Sequence, residues 1–261
     1  MAATPESATG PLTGRTALVT GASRGIGRAI AERLAGAGAR IAVHYHTRAE
    51  EARSTAAGLA GSGHRLFPAD LGQVDERRRL IRKVASEMEG PHILVNNAGI
   101  YRLTPLLDSP ETVWLRDFED LVNLNLVAPA HLACLCARIM AERGIAGRII
   151  NVGSRGAYRG EPDAPGYGAA KAGLHALTQS LAQALGPHHI AVTAIAPGWV
   201  GTDMAKPHLE SPRGAAIRAQ SPLGRTARPG EVAALALYLA GDDAEYATGA
   251  VVDLNGASYL R

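Results

Sequence analysis

From residue 16 onward, short runs of Val, Ile, Leu and Ala alternate with longer stretches in which apolar positions recur every third or fourth residue. Continuous apolar runs bounded by turn residues read as strands buried on both faces, and the helical spacing reads as helices laid on them. The runs predict strands at residues 16–19, 41–45, 66–69, 93–95, 149–152, 192–195 and 251–254. The periodic stretches predict helices at residues 27–37, 50–60, 75–88, 114–142, 167–185 and 229–240. Strictly alternating strands and helices mean parallel pairing, because a parallel neighbour is reached only by a crossover. No Pro/Gly/Ser-rich linker divides the pattern, so residues 12–261 are expected to form one α/β domain. Its expected architecture is a doubly wound parallel sheet in three α/β/α layers of Rossmann type, with ligands bound beyond the carboxyl ends of the strands. Residues 1–11 are small, polar and aperiodic, and are expected to be a loose tail rather than a signal peptide.

Composition narrows the class. The 261 residues are 46% hydrophobic and 20% charged, enough apolar material for a sizeable core in a soluble protein. No apolar run comes near the roughly 20 residues of a membrane span, so no membrane partner is expected. The net charge is +3, but the basic residues are scattered among 24 acidic ones and no aromatic-interleaved basic patch occurs. Nucleic acid is therefore not expected as a partner, and the run Asp75-Glu-Arg-Arg-Arg79 is expected to be a solvated helix face. Cys134 and Cys136 lie in an apolar helical stretch and are expected to be buried thiols in a reducing cytoplasm. Nine histidines form no H-E-x-x-H, and no metal is expected.

Two local patterns carry candidate chemistry. The first predicted strand runs into Gly21-Ala-Ser-Arg-Gly25-Ile-Gly27 and straight into a helix. Glycines at that turn let a pyrophosphate approach the backbone, and the helix amino end meets its charge. Further along, Tyr167 and Lys171 stand four residues apart at the start of a predicted helix, which places both on one face. A phenol beside an ammonium group is expected to have its pKa lowered, and so to trade protons as a general acid or base.

In order, Thr20-Gly-Ala-Ser-Arg-Gly-Ile-Gly27, Asn96-Asn-Ala-Gly99, Ser154, Tyr167-x-x-x-Lys171 and Pro197-Gly198 resemble the motifs of the short-chain dehydrogenase/reductase family, over residues 12–259. Within that family the chain looks most like the 3-oxoacyl-carrier-protein reductase type. The resemblance implies that Tyr167 exchanges a proton with the substrate oxygen and that Lys171 holds the nicotinamide ribose. It implies that Ser154 hydrogen-bonds the same oxygen, and that Asn125 helps hold a water leading from Lys171 to solvent. By sequence alone Asn123 rivals Asn125. It further implies that Asn97, Ala98 and Gly99 wall the adenosine side, that Asp70 and Leu71 contact adenine, and that Pro197, Gly198, Val200 and Thr202 cover the nicotinamide. A homotetramer built through residues 114–142 and 167–185 is also implied.

The cofactor preference can be read from the second strand. It ends Tyr45-His46-Thr47-Arg48 without the acidic residue that binds an adenosine 2′-hydroxyl in NAD enzymes. Arg24 of the loop Gly21, Ser23, Arg24, Gly25, Ile26, Gly27, with His46, Thr47 or Arg48 opposite, suits a 2′-phosphate, so NADP(H) is expected. Tyr101, Arg102, Arg155, Tyr158, Arg159, Glu161 and Asp163 are expected at the substrate mouth, with residues 201–220 as a lid from which Met204 faces the substrate together with Trp199. The guanidinium groups suit either a phosphate-bearing partner such as a phosphopantetheine arm or no partner at all. Three readings stand: an NADP(H)-dependent reductase of a 3-oxoacyl thioester or similar ketone; a dehydrogenase of sugar alcohols, steroids or other small secondary alcohols; and a non-catalytic NADP-sensing protein.

Overall fold

The computed structural model describes residues 10–261. Most of the expected tail therefore lies outside the described residues; Gly10 and Pro11 enter a turn in which the Gly10 N–H donates to Thr13 Oγ1 at 2.9 Å. Seven strands form the sheet: β1 (Thr16–Val19), β2 (Arg40–Tyr45), β3 (Arg65–Pro68), β4 (Ile93–Asn96), β5 (Arg148–Val152), β6 (Ala191–Pro197) and β7 (Val251–Leu254). All neighbouring pairs are parallel, in the order β3-β2-β1-β4-β5-β6-β7.

The larger helices are α1 (Gly25–Gly36), α2 (Ala49–Ala57), α3 (Val74–Glu87), α4 (Glu111–Val122), α5 (Ala128–Glu142), then α6 (Gly156–Arg159, one short turn), α7 (Pro165–Leu185), and, after the lid helices α8 (Lys206–Leu209) and α9 (Gly214–Ala219), α10 (Pro229–Ala240). Successive strand residues point to opposite faces, and the core divides accordingly. Val19, Val43, Val95 and Ile150 pack with Ile30 and Leu34 of α1 and Val232 and Leu239 of α10. Leu18, Leu94, Ile149 and Val192 pack with Leu80 of α3, Leu132 and Met140 of α5 and Ala182 of α7. Burying such aliphatic side chains contributes roughly 1.5–3 kcal/mol each, which is what holds helices to both faces. The chain leaves β1 toward β2 on one side and returns to place β4 on the other. The crevice between the carboxyl ends of β1 and β4 is the switch point where such sheets bind ligands.

Four expectations need correction. The helix expected over 114–142 is two helices joined by a π-helical turn, Asn123–Val127. The stretch Glu111–Glu142 is also apolar and long enough to meet the length and hydropathy of a membrane span, contrary to the sequence reading. It lies here against the body of the domain, with Leu121, Asn125, Leu132, Cys136 and Met140 buried. In the Asp75–Arg79 run, Arg77 is buried, aimed at the carbonyls of Gly72, Gln73 and Val127. The other charges of the run pair along the helix surface, Arg78 with Asp75 and Arg79 with Glu76. Finally, Cys136 is buried and Cys134 exposed, because residues two apart on a helix face nearly opposite directions.

Candidate active site

The turn from β1 into α1 is tied to the end of β4. Thr20 Oγ1 accepts from the N–H groups of Asn97 (2.9 Å) and Ala98 (3.0 Å), and Asn97 Nδ2 donates to the Thr20 carbonyl at 2.8 Å. Gly21 has φ +64°, a conformation open to glycine at little cost. A Cβ on Gly27 would stand 2.2 Å from the Gly21 carbonyl oxygen and 2.5 Å from Asn97 Nδ2, so only glycine lets the helix start this close to the loop. Thr55 of α2 donates to the Ser23 carbonyl at 3.1 Å from the other side.

One buried side chain that the sequence reading passed over completes the loop. His44 of β2 is 2% exposed. Its Nδ1 accepts from the Gly21 N–H at 3.1 Å, and Nε2, 3.1 Å from the Ala69 carbonyl, carries the proton. Burial pushes its pKa down to about 4, so it is neutral near pH 7. A histidine inside an otherwise apolar strand was the available signal.

Above this loop opens a cavity of about 470 Å³. It is lined by Gly21, Ser23, Arg24, Gly25, Ile26, Tyr45, His46, Thr47, Arg48, Asp70, Leu71, Asn97, Ala98, Gly99, Pro197, Gly198, Val200 and Thr202, that is, by every expected cofactor residue except Gly27, which sits behind the loop. Arg24 pairs with Asp203 at 3.0 Å and Arg48 with Glu51 at 2.7 Å, both partly exposed. With no acid at the end of β2, that end of the cavity is rimmed by Arg24, His46 and Arg48. Gly25 (whose added Cβ would stand 3.4 Å from Thr202), the amino end of α1 and this basic rim together fit a phosphorylated dinucleotide.

At the other end of the cavity, Asn125, Ser154, Tyr167 and Lys171 converge from three segments, the last two from α7. Ser154, just past β5, is buried, and its Oγ accepts from the Gly156 N–H at 3.0 Å. Tyr167 and Lys171 stand on successive turns of α7, with the Lys171 Nζ 5.7 Å from the Tyr167 ring centroid. That ammonium group is buried and donates to the Val152 carbonyl at 2.8 Å. The π turn supplies Asn125: its carboxamide accepts from the Ile100 N–H (3.2 Å) and donates to the Ile100 carbonyl (3.0 Å). A Cβ on Gly99 would fall 2.5 Å from Asn125 Oδ1 and 3.8 Å from Lys171 Nζ, so these three residues are immediate neighbours. Asn123, the rival by sequence, turns away and donates to the Gly72 carbonyl at 3.2 Å.

The proton chemistry departs from the expected direction. Burial drives the Tyr167 phenol up to about 12, against a smaller downward pull from the Ser154 hydroxyl, while the Glu161 carboxylate pushes further upward. Lys171 is lowered to about 8, also by burial. In this state desolvation outweighs any attraction from the lysine, whose ammonium is turned onto Val152. The phenol is thus a protonated donor near pH 7, and Lys171 remains largely a cation.

At the mouth, Arg155 is buried and hydrogen-bonds Gln220, with its pKa down to about 10 through burial. Arg102, Tyr158, Arg159 and Asp163, expected at the mouth, do not line the cavity; Tyr158 instead stacks under Arg261, whose guanidinium carbon is 4.2 Å from the ring centroid. The expected lid holds α8 and α9, and Met204, Trp199, Glu161 and Tyr101 all line the cavity.

A family profile described as Enoyl-(Acyl carrier protein) reductase matches residues 21–256. The 3-oxoacyl-acyl-carrier-protein reductase FabG of Escherichia coli (strain K12) is 38% identical over 248 residues, covering 95% of this chain and 98% of the relative. Among solved structures, a short-chain type dehydrogenase/reductase from Mycobacterium marinum superposes with a TM-score of 0.88 at 32% identity, covering 96% and 97% of the two chains. The angucycline C-6 ketoreductase LanV with bound NADP gives a TM-score of 0.84 at 33% identity, covering 95% and 96%. The chain belongs to the short-chain dehydrogenase/reductase family, and it is an oxidoreductase.

Proposed function

We propose that this protein is an NADP(H)-dependent ketoreductase that converts a ketone to a secondary alcohol, most like a 3-oxoacyl-acyl-carrier-protein reductase. The observation that carries the reading is the convergence of Ser154, Tyr167, Lys171 and Asn125 at one end of a cavity whose other end is a glycine loop with a basic rim. NADPH held in that cavity would supply the hydride for the carbonyl carbon. The Tyr167 phenol gives its proton to the carbonyl oxygen, and the Ser154 hydroxyl hydrogen-bonds that oxygen so that charge developing on it is met on two sides. Lys171, still charged, serves the ribose hydroxyls and is the source from which the phenolate regains its proton. Asn125 Oδ1 has one lone pair engaged by Ile100 and a second free for a water that leads from Lys171 outward.

NADP(H) is favoured over NAD(H) by the missing acid at Tyr45-His46-Thr47-Arg48 and by Arg24; the bound NADP of LanV supports the same choice. The E. coli relative is named for a 3-oxoacyl-acyl-carrier-protein substrate, which supports a 3-oxoacyl ketone here. Two free thiols accord with a reducing cytoplasm. Exposed Leu115 and Val127 accord with a homotetramer contact along 114–142. The test is Tyr167→Phe, assayed by NADPH oxidation and by NADPH fluorescence titration. Turnover is expected to fall by at least about 100-fold with NADPH affinity retained; turnover within a few-fold of wild type overturns the assignment.

A further inference from the structure

We propose that the ketone taken by this site carries a planar aromatic ring close to its carbonyl, and that Tyr101, Trp199 and His208 form the platform that holds the ring. The proposal rests on the reductase reading above and narrows its substrate. Only 4% of the chain is Phe, Trp or Tyr. Yet aromatic side chains from three separate segments gather around Tyr101, and Tyr101 in turn meets the phenol that delivers the proton. Tyr101, just after β4, meets the Tyr167 ring edge-on at 5.0 Å and 86°. The same Tyr101 ring lies 5.5 Å from His208 of α8 and 6.4 Å from Trp199, both edge-on. Trp199 and His208 close the group at 5.4 Å with a 49° tilt. All three are only partly buried, and Tyr101 and Trp199 line the cavity itself.

Edge-on rings 5–6.4 Å apart can exchange these contacts for stacking on a flat guest, and a mere packing role for the lid would be met as well by leucine. The charges near Tyr101 and Glu161 favour a neutral guest over a phosphate-bearing one. Arg102 is paired with Asp117 and Asp120, Arg213 with Asp163, and Arg155 and Arg159 both hydrogen-bond Gln220. Glu161, half-buried and without a side-chain hydrogen-bond partner among the described residues, stands close enough to Tyr101 and Tyr167 to add to the upward shift that burial gives both phenols. Its carboxylate repels an anionic substituent there and accepts a hydrogen bond from a ring hydroxyl.

The experiment compares 2-tetralone with 2-decalone, two bicyclic ketones of matched size whose carbonyls are not conjugated with a ring, using NADPH and the full chain. The ratio of kcat/KM is expected to favour 2-tetralone by about tenfold, the scale of one or two aromatic contacts. Tyr101→Leu and Trp199→Leu are each expected to bring the ratio within about twofold. A second measurement needs neither turnover nor a variant: calorimetric binding of 2-naphthol and of decahydro-2-naphthol to the wild-type protein loaded with NADP+, with 2-naphthol expected about tenfold tighter. Equal kcat/KM for the two ketones with equal binding of the two alcohols, or a wild-type ratio unchanged in both variants, overturns the platform and leaves the reductase reading standing. If neither ketone is reduced but 2-naphthol keeps its advantage, the platform stands and the reductase reading fails. If neither is reduced and the alcohols bind alike, both fall.

Discussion

Acidification is expected to loosen the glycine loop after β1 through His44, and replacing that residue with glutamine should remove much of the effect. In the unfolded chain the imidazole titrates near its ordinary 6.5, and in the fold it titrates at about 4. Between those values the unfolded chain binds a proton that the folded protein refuses, so proton uptake favours unfolding. The contribution to stability is complete above about pH 6.5 and drains away as pH falls toward 4, reaching about 2 kcal/mol lost at pH 5 and about 3 kcal/mol at the acid limit. The cause is structural: Nδ1 can accept from the Gly21 N–H only while unprotonated, and no carboxylate is among the groups that set the His44 pKa, where His46 adds repulsion. Glutamine can keep one acceptor and one donor in that position without titrating near neutrality. The assay is urea unfolding of wild type and His44→Gln at pH 7 and pH 5, reading ΔG at each pH. Wild type should lose about 2 kcal/mol more than the variant over that interval. His175, whose pKa is also lowered to about 4 by burial, is present in both proteins and cancels in the difference. Equal pH dependence in the two proteins refutes the reasoning.

Two further outcomes follow from the site and its surroundings. Arg24→Ala should raise KM for NADPH about tenfold, equivalent to about 1.4 kcal/mol, while leaving KM for NADH within about twofold; steady-state kinetics with both cofactors checks it, and a parallel rise for both excludes a 2′-phosphate role for Arg24. Light scattering should give a particle of about four chains, and a mass of 27.1 kDa rules the tetramer out.

The strand cores and most of the helices were legible because burial on a parallel sheet leaves an unbroken apolar run in the sequence, and packing on that sheet leaves a helical period. The glycine loop was legible because close backbone approach admits few other residues. What escaped has equally physical reasons. Asn123-Leu-Asn-Leu-Val127 changes no polarity pattern when it widens from an α to a π turn; only the backbone bonding differs. The lid helices α8 and α9, four and six residues long, are too short to show a period. Arg77 and His44 are polar side chains buried by contacts with backbone groups distant in sequence, which no local pattern records. The Tyr167 shift ran opposite to expectation because spacing reveals a neighbouring charge, whereas desolvation belongs to the assembled cavity. Asn125 was separated from Asn123 by family pattern, and the structure distinguishes them by direction: one faces Ile100 and the cavity, the other Gly72.

The π turn makes the helical arm from Glu111 to Glu142 sensitive to arithmetic rather than to chemistry. Such a turn amounts to one residue inserted in an α-helix. Removing any one residue from 123–127 would restore regular winding and rotate α4 against α5 by about 100°, the angular step of a single residue. Leu121, now in the core, and Asn125, now beside Gly99, could not then both keep their directions. The segment can therefore exchange outward-facing side chains freely, but its length is fixed to the residue.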